Sequence, residues 1–175
     1  MAYTFLDPKI GVDNSVSATY TFGTAETAVK LKWPNGFTAA AVDPTYGYAE
    51  FVHVPGGANV AAGNAVVFRG LSVSQLATAS IGSAGRVGIA YGAISASNVA
   101  GWVQVRGFAT PVTVASAATA GDQCKVGATA GWIERAAVSS AAVANQIYGM
   151  NVASAQSASS TGGIIHMQYP YIVGA

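Results

Sequence analysis

Two short alternating runs bounded by glycine constrain this chain more than anything else in it. They are Arg86-Val87-Gly88-Ile89-Ala90-Tyr91-Gly92 and Gly101-Trp102-Val103-Gln104-Val105-Arg106-Gly107. In the second, Trp102, Gln104 and Arg106 fall on one side of an extended backbone, and Val103 and Val105 on the other. A side-chain period of two is that of a half-buried β-strand, whereas a helix would scatter the same residues around its axis. Only 9% of the residues are charged, against roughly 25% in ordinary soluble proteins. Strands of this kind in so uncharged a chain point to a surface made to be covered by other subunits.

Further strands are predicted at Tyr48–Val54, closed by Pro55-Gly56-Gly57, and at Ala65–Arg69, Val87–Tyr91 and Pro111–Ala115. A second set runs through Gln123–Val126, Trp132–Arg135 and Gln146–Val152. The last is Ile164–Val173, in which Ile165, Met167, Tyr169, Tyr171 and Val173 are expected to share one apolar face. Ser72–Ser80, with Leu71, Gln75 and Leu76, is the best place for a short helix. Short strands separated by Gly, Ser, Ala and Asn predict an all-β fold, a small barrel or sandwich of antiparallel strands over residues 39–175. Residues 1–38 are expected to form an extended N-terminal arm, broken by Asp7-Pro8 and Gly11-Val12-Asp13-Asn14 and ending in the turn signal Trp33-Pro34-Asn35-Gly36. Within it, Glu26–Lys32 suits one helical turn or a short strand.

A weak internal repeat runs through the body. Ala62-Gly63-Asn64-Ala65-Val66-Val67 matches Ala120-Gly121-Asp122-Gln123-Cys124-Lys125-Val126, Val87-Gly88-Ile89 matches Tyr148-Gly149-Met150, and Gly101-Trp102-Val103 matches Gly163-Ile164-Ile165. These pairs are either two related halves of one barrel or chance similarity in a Gly/Ala-rich chain. Two copies are too few for a solenoid.

No catalytic constellation stands out. His53 and His166 both sit in strand patterns, and zinc needs three or four converging ligands. Cys124, the single cysteine, has no neighbouring histidine and reads as a small buried hydrophobe. The seven carboxylates are scattered near turns. Gly82-Ser83-Ala84-Gly85-Arg86 leads into a strand rather than a helix and lacks a P-loop lysine, so it reads as a turn. No catalytic residue, metal site or cofactor is expected.

A net charge of +1 disfavours broad attraction to nucleic acid or acidic lipid. The uncharged stretch 136–175 is interrupted by polar residues throughout and offers no membrane span. The N-terminus has no basic head followed by an apolar block, and a lone cysteine sets no disulfide framework. Synthesis in a reducing cytoplasm is therefore expected. Between Phe51 and Gly121 the only charged residues are Arg69, Arg86 and Arg106. Either these guanidinium groups face acceptors on another chain, or they are strand-end residues in solvent or paired with Glu50 or Glu134. With Tyr3 and Phe5 of the arm and with Trp102, they are the candidate protein-interface residues.

The succession Tyr48–Val54, Ala62–Val67, Val87-Gly88-Ile89-Ala90 and Gly101-Trp102-Val103-Gln104-Val105-Arg106-Gly107 resembles the capsid decoration (cement) proteins of tailed bacteriophages. The likeness spans roughly Gly36–Arg135, and the Gly-Trp-Val-Gln-Val-Arg-Gly stretch is its most specific part. The resemblance implies a β-rich, non-enzymatic virion protein on the outer capsid surface, homotrimeric and bridging neighbouring major capsid protein subunits. It implies no cofactor, no direct nucleic-acid contact and no membrane. The alternative is a phage tail, fibre or adhesin-like module that binds host-surface glycan through Trp33, Trp102 or Trp132, with Trp102, Gln104 and Arg106 as the best platform.

Overall fold

The computed structural model describes residues 4–5, 26–27, 36–55, 59–69, 72–78, 85–94, 99–136, 145–157 and 160–173. Among these, twelve strands join one continuous hydrogen-bonded system and no α-helix occurs. In chain order they are β1 (Thr4–Phe5), β2 (Glu26–Thr27), β3 (Thr38–Asp43), β4 (Gly47–Val54), β5 (Ala65–Arg69) and β6 (Ser72–Gln75). Then follow β7 (Gly85–Ala90), β8 (Val99–Val114), β9 (Gln123–Val126), β10 (Ile133–Arg135), β11 (Gln146–Val152) and β12 (Ser160–Ile172). The all-β class expected from the alternating runs is the class observed.

The strand order is β1-β3-β4-β8-β10-β9-β11-β12-β7-β5-β6. Because β12 also pairs with β8, the strands β8, β10, β9, β11 and β12 form a closed circuit. The circuit is antiparallel except where Ile133 of β10 lies parallel to Val114 of β8. Closure leaves these strands no open edge. Inside lie Val112, Val114, Cys124, Ile133, Ile147, Met150, Ile165 and Met167, each no more than 1% exposed. Burial pushes the Cys124 thiol up to about 12, with a smaller contribution from Asp122.

The first half of β8 leaves the circuit and runs between β4 and β7. There Val103 and Val105 join Val52, Val54, Val66, Phe68 and Ile94 in a second core. On the opposite face Trp102 joins Ala39, Ala41, Ala49 and Phe51, with Phe37 and Tyr91 packed against them. The alternation read from Trp102–Arg106 is therefore real, but both faces are covered rather than one. The described part of the N-terminal region belongs to the same sheet system: β1 pairs with β3 (Phe5 opposite Ala41) and β2 pairs with β8 (Glu26 opposite Ala100).

The internal repeat is structural. Asn64 and Asp122 close identical turns: the Asn64 N–H donates to Ala61 O (3.2 Å) and the Asp122 N–H to Thr119 O (3.1 Å). Their side chains accept the Ala61 N–H (3.0 Å) and the Thr119 N–H (2.8 Å) in return. The Gly63 N–H then donates to Ala90 O and the Gly121 N–H to Val152 O, both at 2.8 Å. Bridges Val60–Ile94 and Ala118–Gln156 repeat the same contact. Ile89 opposite Gln104 becomes Asn151 opposite His166, and Ala90 opposite Val103 becomes Val152 opposite Ile165. Within β11 the sequence match is displaced: Ile89 answers to Asn151 rather than Met150, and Gly88 to Ile147 across the register shift between Ile147 and Asn151. Hence β5, β6, β7 and β8 correspond to β9, β10, β11 and β12.

Two expectations are corrected. Ser72–Gln75 is a strand, not the start of a helix: β5 offers it an edge, and Val73 points inward at 5% exposure. Residues 79 and 80 of the expected helix lie outside the described residues. The second correction concerns the apolar face of β12. Ile165 and Met167 are fully buried as expected, but Tyr169, Tyr171 and Val173 are 47%, 48% and 58% exposed. Tyr169 adopts φ 49, a left-handed conformation that bulky residues seldom take. That residue interrupts the alternation, so Pro170 and Ile172 turn inward and the tyrosines turn out.

Candidate protein-interface face

The exposed large hydrophobic side chains are Tyr48, Phe108, Tyr148, Tyr169, Tyr171 and Val173 among the described residues. Strand register brings Phe108, Tyr148 and Tyr171 into rows on adjacent strands, and Tyr48 and Tyr169 lie against Arg106 of the first row. Directly opposed residues of an antiparallel pair project to the same side of a sheet. One row crosses β4, β8 and β12 as Glu50–Arg106–Gln168. The next runs Phe108–His166–Asn151 over β8, β12 and β11, with the Phe108 and His166 rings 4.8 Å apart. A third runs Phe68–Arg86–Tyr171–Tyr148 over β5, β7, β12 and β11. The Tyr148 and Tyr171 rings stack with centroids 5.3 Å apart and planes at 18°.

At the centre of the first row is a closed ionic group. The Arg106 guanidinium donates to Glu50 Oε1 at 2.9 Å. Its cationic carbon lies 5.4 Å from the Tyr48 ring and 5.7 Å from the Tyr169 ring, within the range of cation–π attraction. The Tyr48 hydroxyl donates to Glu50 Oε1 at 2.8 Å, and the Tyr169 hydroxyl donates to Glu50 Oε2. The left-handed backbone at Tyr169 is what turns this ring outward onto Arg106.

Burial is the largest single influence on Glu50 and opposes its ionisation. Hydrogen bonds from Tyr169, Tyr48 and Arg106, with the Arg106 charge, outweigh it and hold the carboxyl below its ordinary range. The same bonds to Glu50 raise the Tyr48 and Tyr169 phenols. A carboxyl depressed in the folded state stabilises the fold above its unfolded value and loses that contribution as pH falls through the folded value. Glu50→Gln is accordingly expected to cost up to about 1 kcal/mol at pH 7, solvent screening keeping it small. Urea titrations at pH 7 and pH 3 check this: the difference from wild type should narrow at the lower pH.

Gln104, 1% exposed, supports the group from beneath. Its amide donates to Arg106 O (3.1 Å) and Phe108 O (2.9 Å), spanning Gly107. Counting on from the matched Trp102 and Ile164, Gly107 and Tyr169 hold equivalent positions, and both are left-handed (φ 90 and 49). A cleft of about 220 Å³ beside this region is lined by Tyr91, Gln104, Thr110 and Pro111 among others. Its lining carries hydroxyls and an amide but no carboxylate, imidazole or thiol. Among the described residues no group of three or more His, Cys, Asp or Glu is placed to hold a metal ion.

Of the residues singled out from sequence, Arg86 and Arg106 lie on this face and are exposed. Arg69 is exposed at the end of β5. Phe5 contributes backbone pairing to β3, and Tyr3 lies outside the described residues. Trp102 is not a surface contact. It is 7% exposed, with its ring 5.0 Å from His53 and 6.4 Å from Phe37. Its burial with Gln104 also removes the expected Trp102–Gln104–Arg106 glycan platform. Trp132 is half-buried, and Trp33 lies outside the described residues.

Period-two alternation alone puts Tyr169 and Tyr171 in the core, which hides the surface tyrosines. The signal was Pro170 between them, since proline inside a strand marks an edge or a bulge. Comparison with protein-family models and with curated proteins finds no match to this chain.

Proposed function

We propose that this chain is a non-enzymatic virion structural protein, a homotrimer that binds the outer surface of a bacteriophage capsid and bridges neighbouring major capsid subunits. It is made in the host cytoplasm and carried on the virion. The observation that carries the reading is the face of Tyr48, Tyr148, Tyr169, Tyr171 and Phe108 around Arg86 and Arg106, displayed on β4, β7, β8, β11 and β12. Tyr and Arg are the residue types that protein interfaces concentrate, and rigid aromatic rings lose little entropy when covered. The low charge of the chain and its resemblance to decoration proteins agree with this use.

A protein that binds the assembled lattice but not dissociated subunits stabilises the lattice by mass action. Many repeated sites multiply a modest contact. Heads with and without the protein should therefore differ in DNA retention after heating or osmotic shock, the decorated heads retaining more. Equal retention at full occupancy would sink the stabilising role.

A further inference from the structure

We infer that Arg86, Tyr171 and Tyr148, the exposed members of the row that starts at buried Phe68, form a docking site for a polypeptide segment of the partner that bears a carboxylate. The inference rests on the capsid-binding reading and adds the chemistry of the contact. The row is continuous: Arg86 is directly opposite Phe68 on one side and Tyr171 on the other, and Tyr171 is opposite Tyr148. Arg86 is exposed, and its guanidinium lies 5.1 Å from the Phe68 ring centroid. Its charge meets no carboxylate among the described residues, and the Tyr148 and Tyr171 hydroxyls have no hydrogen-bond partner there.

Charge complementarity selects the occupant. Arg106 is closed by Glu50, Lys125 lies 3.2 Å from Glu134, and Arg135 lies 3.9 Å from Asp122. Asp43 accepts the Thr45 and Tyr46 amides. Those four are all the side-chain carboxylates from residue 36 onward, and each is engaged. The body of a second copy therefore has no uncommitted side-chain carboxylate to offer Arg86. A carboxylate supplied from outside would bind the planar guanidinium in bidentate fashion, as the neighbouring phenols donate and the stacked rings cover an aliphatic stem.

The test is co-sedimentation of the purified protein with heads that lack it, over a range of salt. Arg86→Ala should bind about tenfold to a hundredfold more weakly, the range for loss of a charge-assisted hydrogen bond, and its affinity should depend less on salt. Arg86→Lys should restore part of the affinity, and Tyr171→Ala should weaken binding without flattening the salt dependence. Arg135→Ala, outside the row, should bind as wild type does. Wild-type binding left undiminished in Arg86→Ala overturns the inference and leaves the capsid reading standing. A wild-type protein that fails to sediment with heads removes both. Sedimentation equilibrium on Arg86→Ala separates the remaining case: dissociation of the oligomer would make the row a contact between copies and overturn the inference.

Discussion

Replacing Gln104 by glutamate is expected to destabilise the protein by about 3–5 kcal/mol at neutral pH, the range for an uncompensated buried charge. The side chain is 1% exposed and donates to two backbone carbonyls, those of Arg106 and Phe108. A carboxylate would aim acceptors at acceptors in a site without water's screening. The effect carries its own control in pH. Burial raises the folded-state pKa of the new carboxyl above its unfolded value near 4.3. The penalty therefore shrinks as pH falls toward that unfolded value, because the protonated acid is neutral and can donate one of the lost bonds. Urea denaturation of the variant and wild type from pH 7 to pH 4 measures it. A deficit that does not narrow on acidification would show that charge is not the cause.

Gly107→Ala is expected to cost about 2–5 kcal/mol, from backbone strain and overpacking together. Gly107 holds φ +90, and an added Cβ would lie 2.4 Å from Tyr48 O and 3.0 Å from Ala49 Cα. Those neighbours are backbone and cannot rotate away. Gly121 is the comparison: it holds φ +92, yet nothing lies within 4 Å of the added carbon. Gly121→Ala should pay only the conformational strain, on the order of 1–2 kcal/mol. At roughly 2–4 °C per kcal/mol for a chain of this size, the two melting temperatures should separate by several degrees. Equal melting temperatures would mean that β4 yields at Tyr48 and that the close approach carries no cost.

The difference between these two glycines shows what a sequence displays and what it hides. At Gly121 the sequence shows only the likeness of Ala120-Gly121-Asp122 to Ala62-Gly63-Asn64, although Gly-Asp before a strand carries the chemistry of a left-handed turn closed by a short polar side chain. That likeness leaves chance open as an explanation, and the structure decides it by repeating the turn's hydrogen bonds. The close approach at Gly107 depends on β4, which lies some fifty residues earlier and reaches it only through pairing. Trp102 misled in the same way. Its alternation is local, but its cover comes from Phe37, just before β3, and from His53 on β4. Of the candidate face, Arg86 and Arg106 were visible as cations isolated in the sequence. The tyrosines around them were not, because one left-handed residue at Tyr169 reverses the inside and outside of everything after it.

The repeat also sets a limit on growth. Each half begins by laying its last strand against the last strand of the unit before it: β8 against β4, then β12 against β8. Nothing in that step forbids a third copy, and in an open array it would continue without end. Here the curl of the second half brings β12 against β11 along one edge, while β8 and β7 occupy the other. Among the described residues the stretch Ile165–Met167 of β12 is paired on both sides, so a hypothetical next unit would not find that backbone open. The place that β12 takes on β8 is taken on β12 by β7, opposite Tyr171 and Ile172, so the step that joins the second half to the first is not offered again at that point.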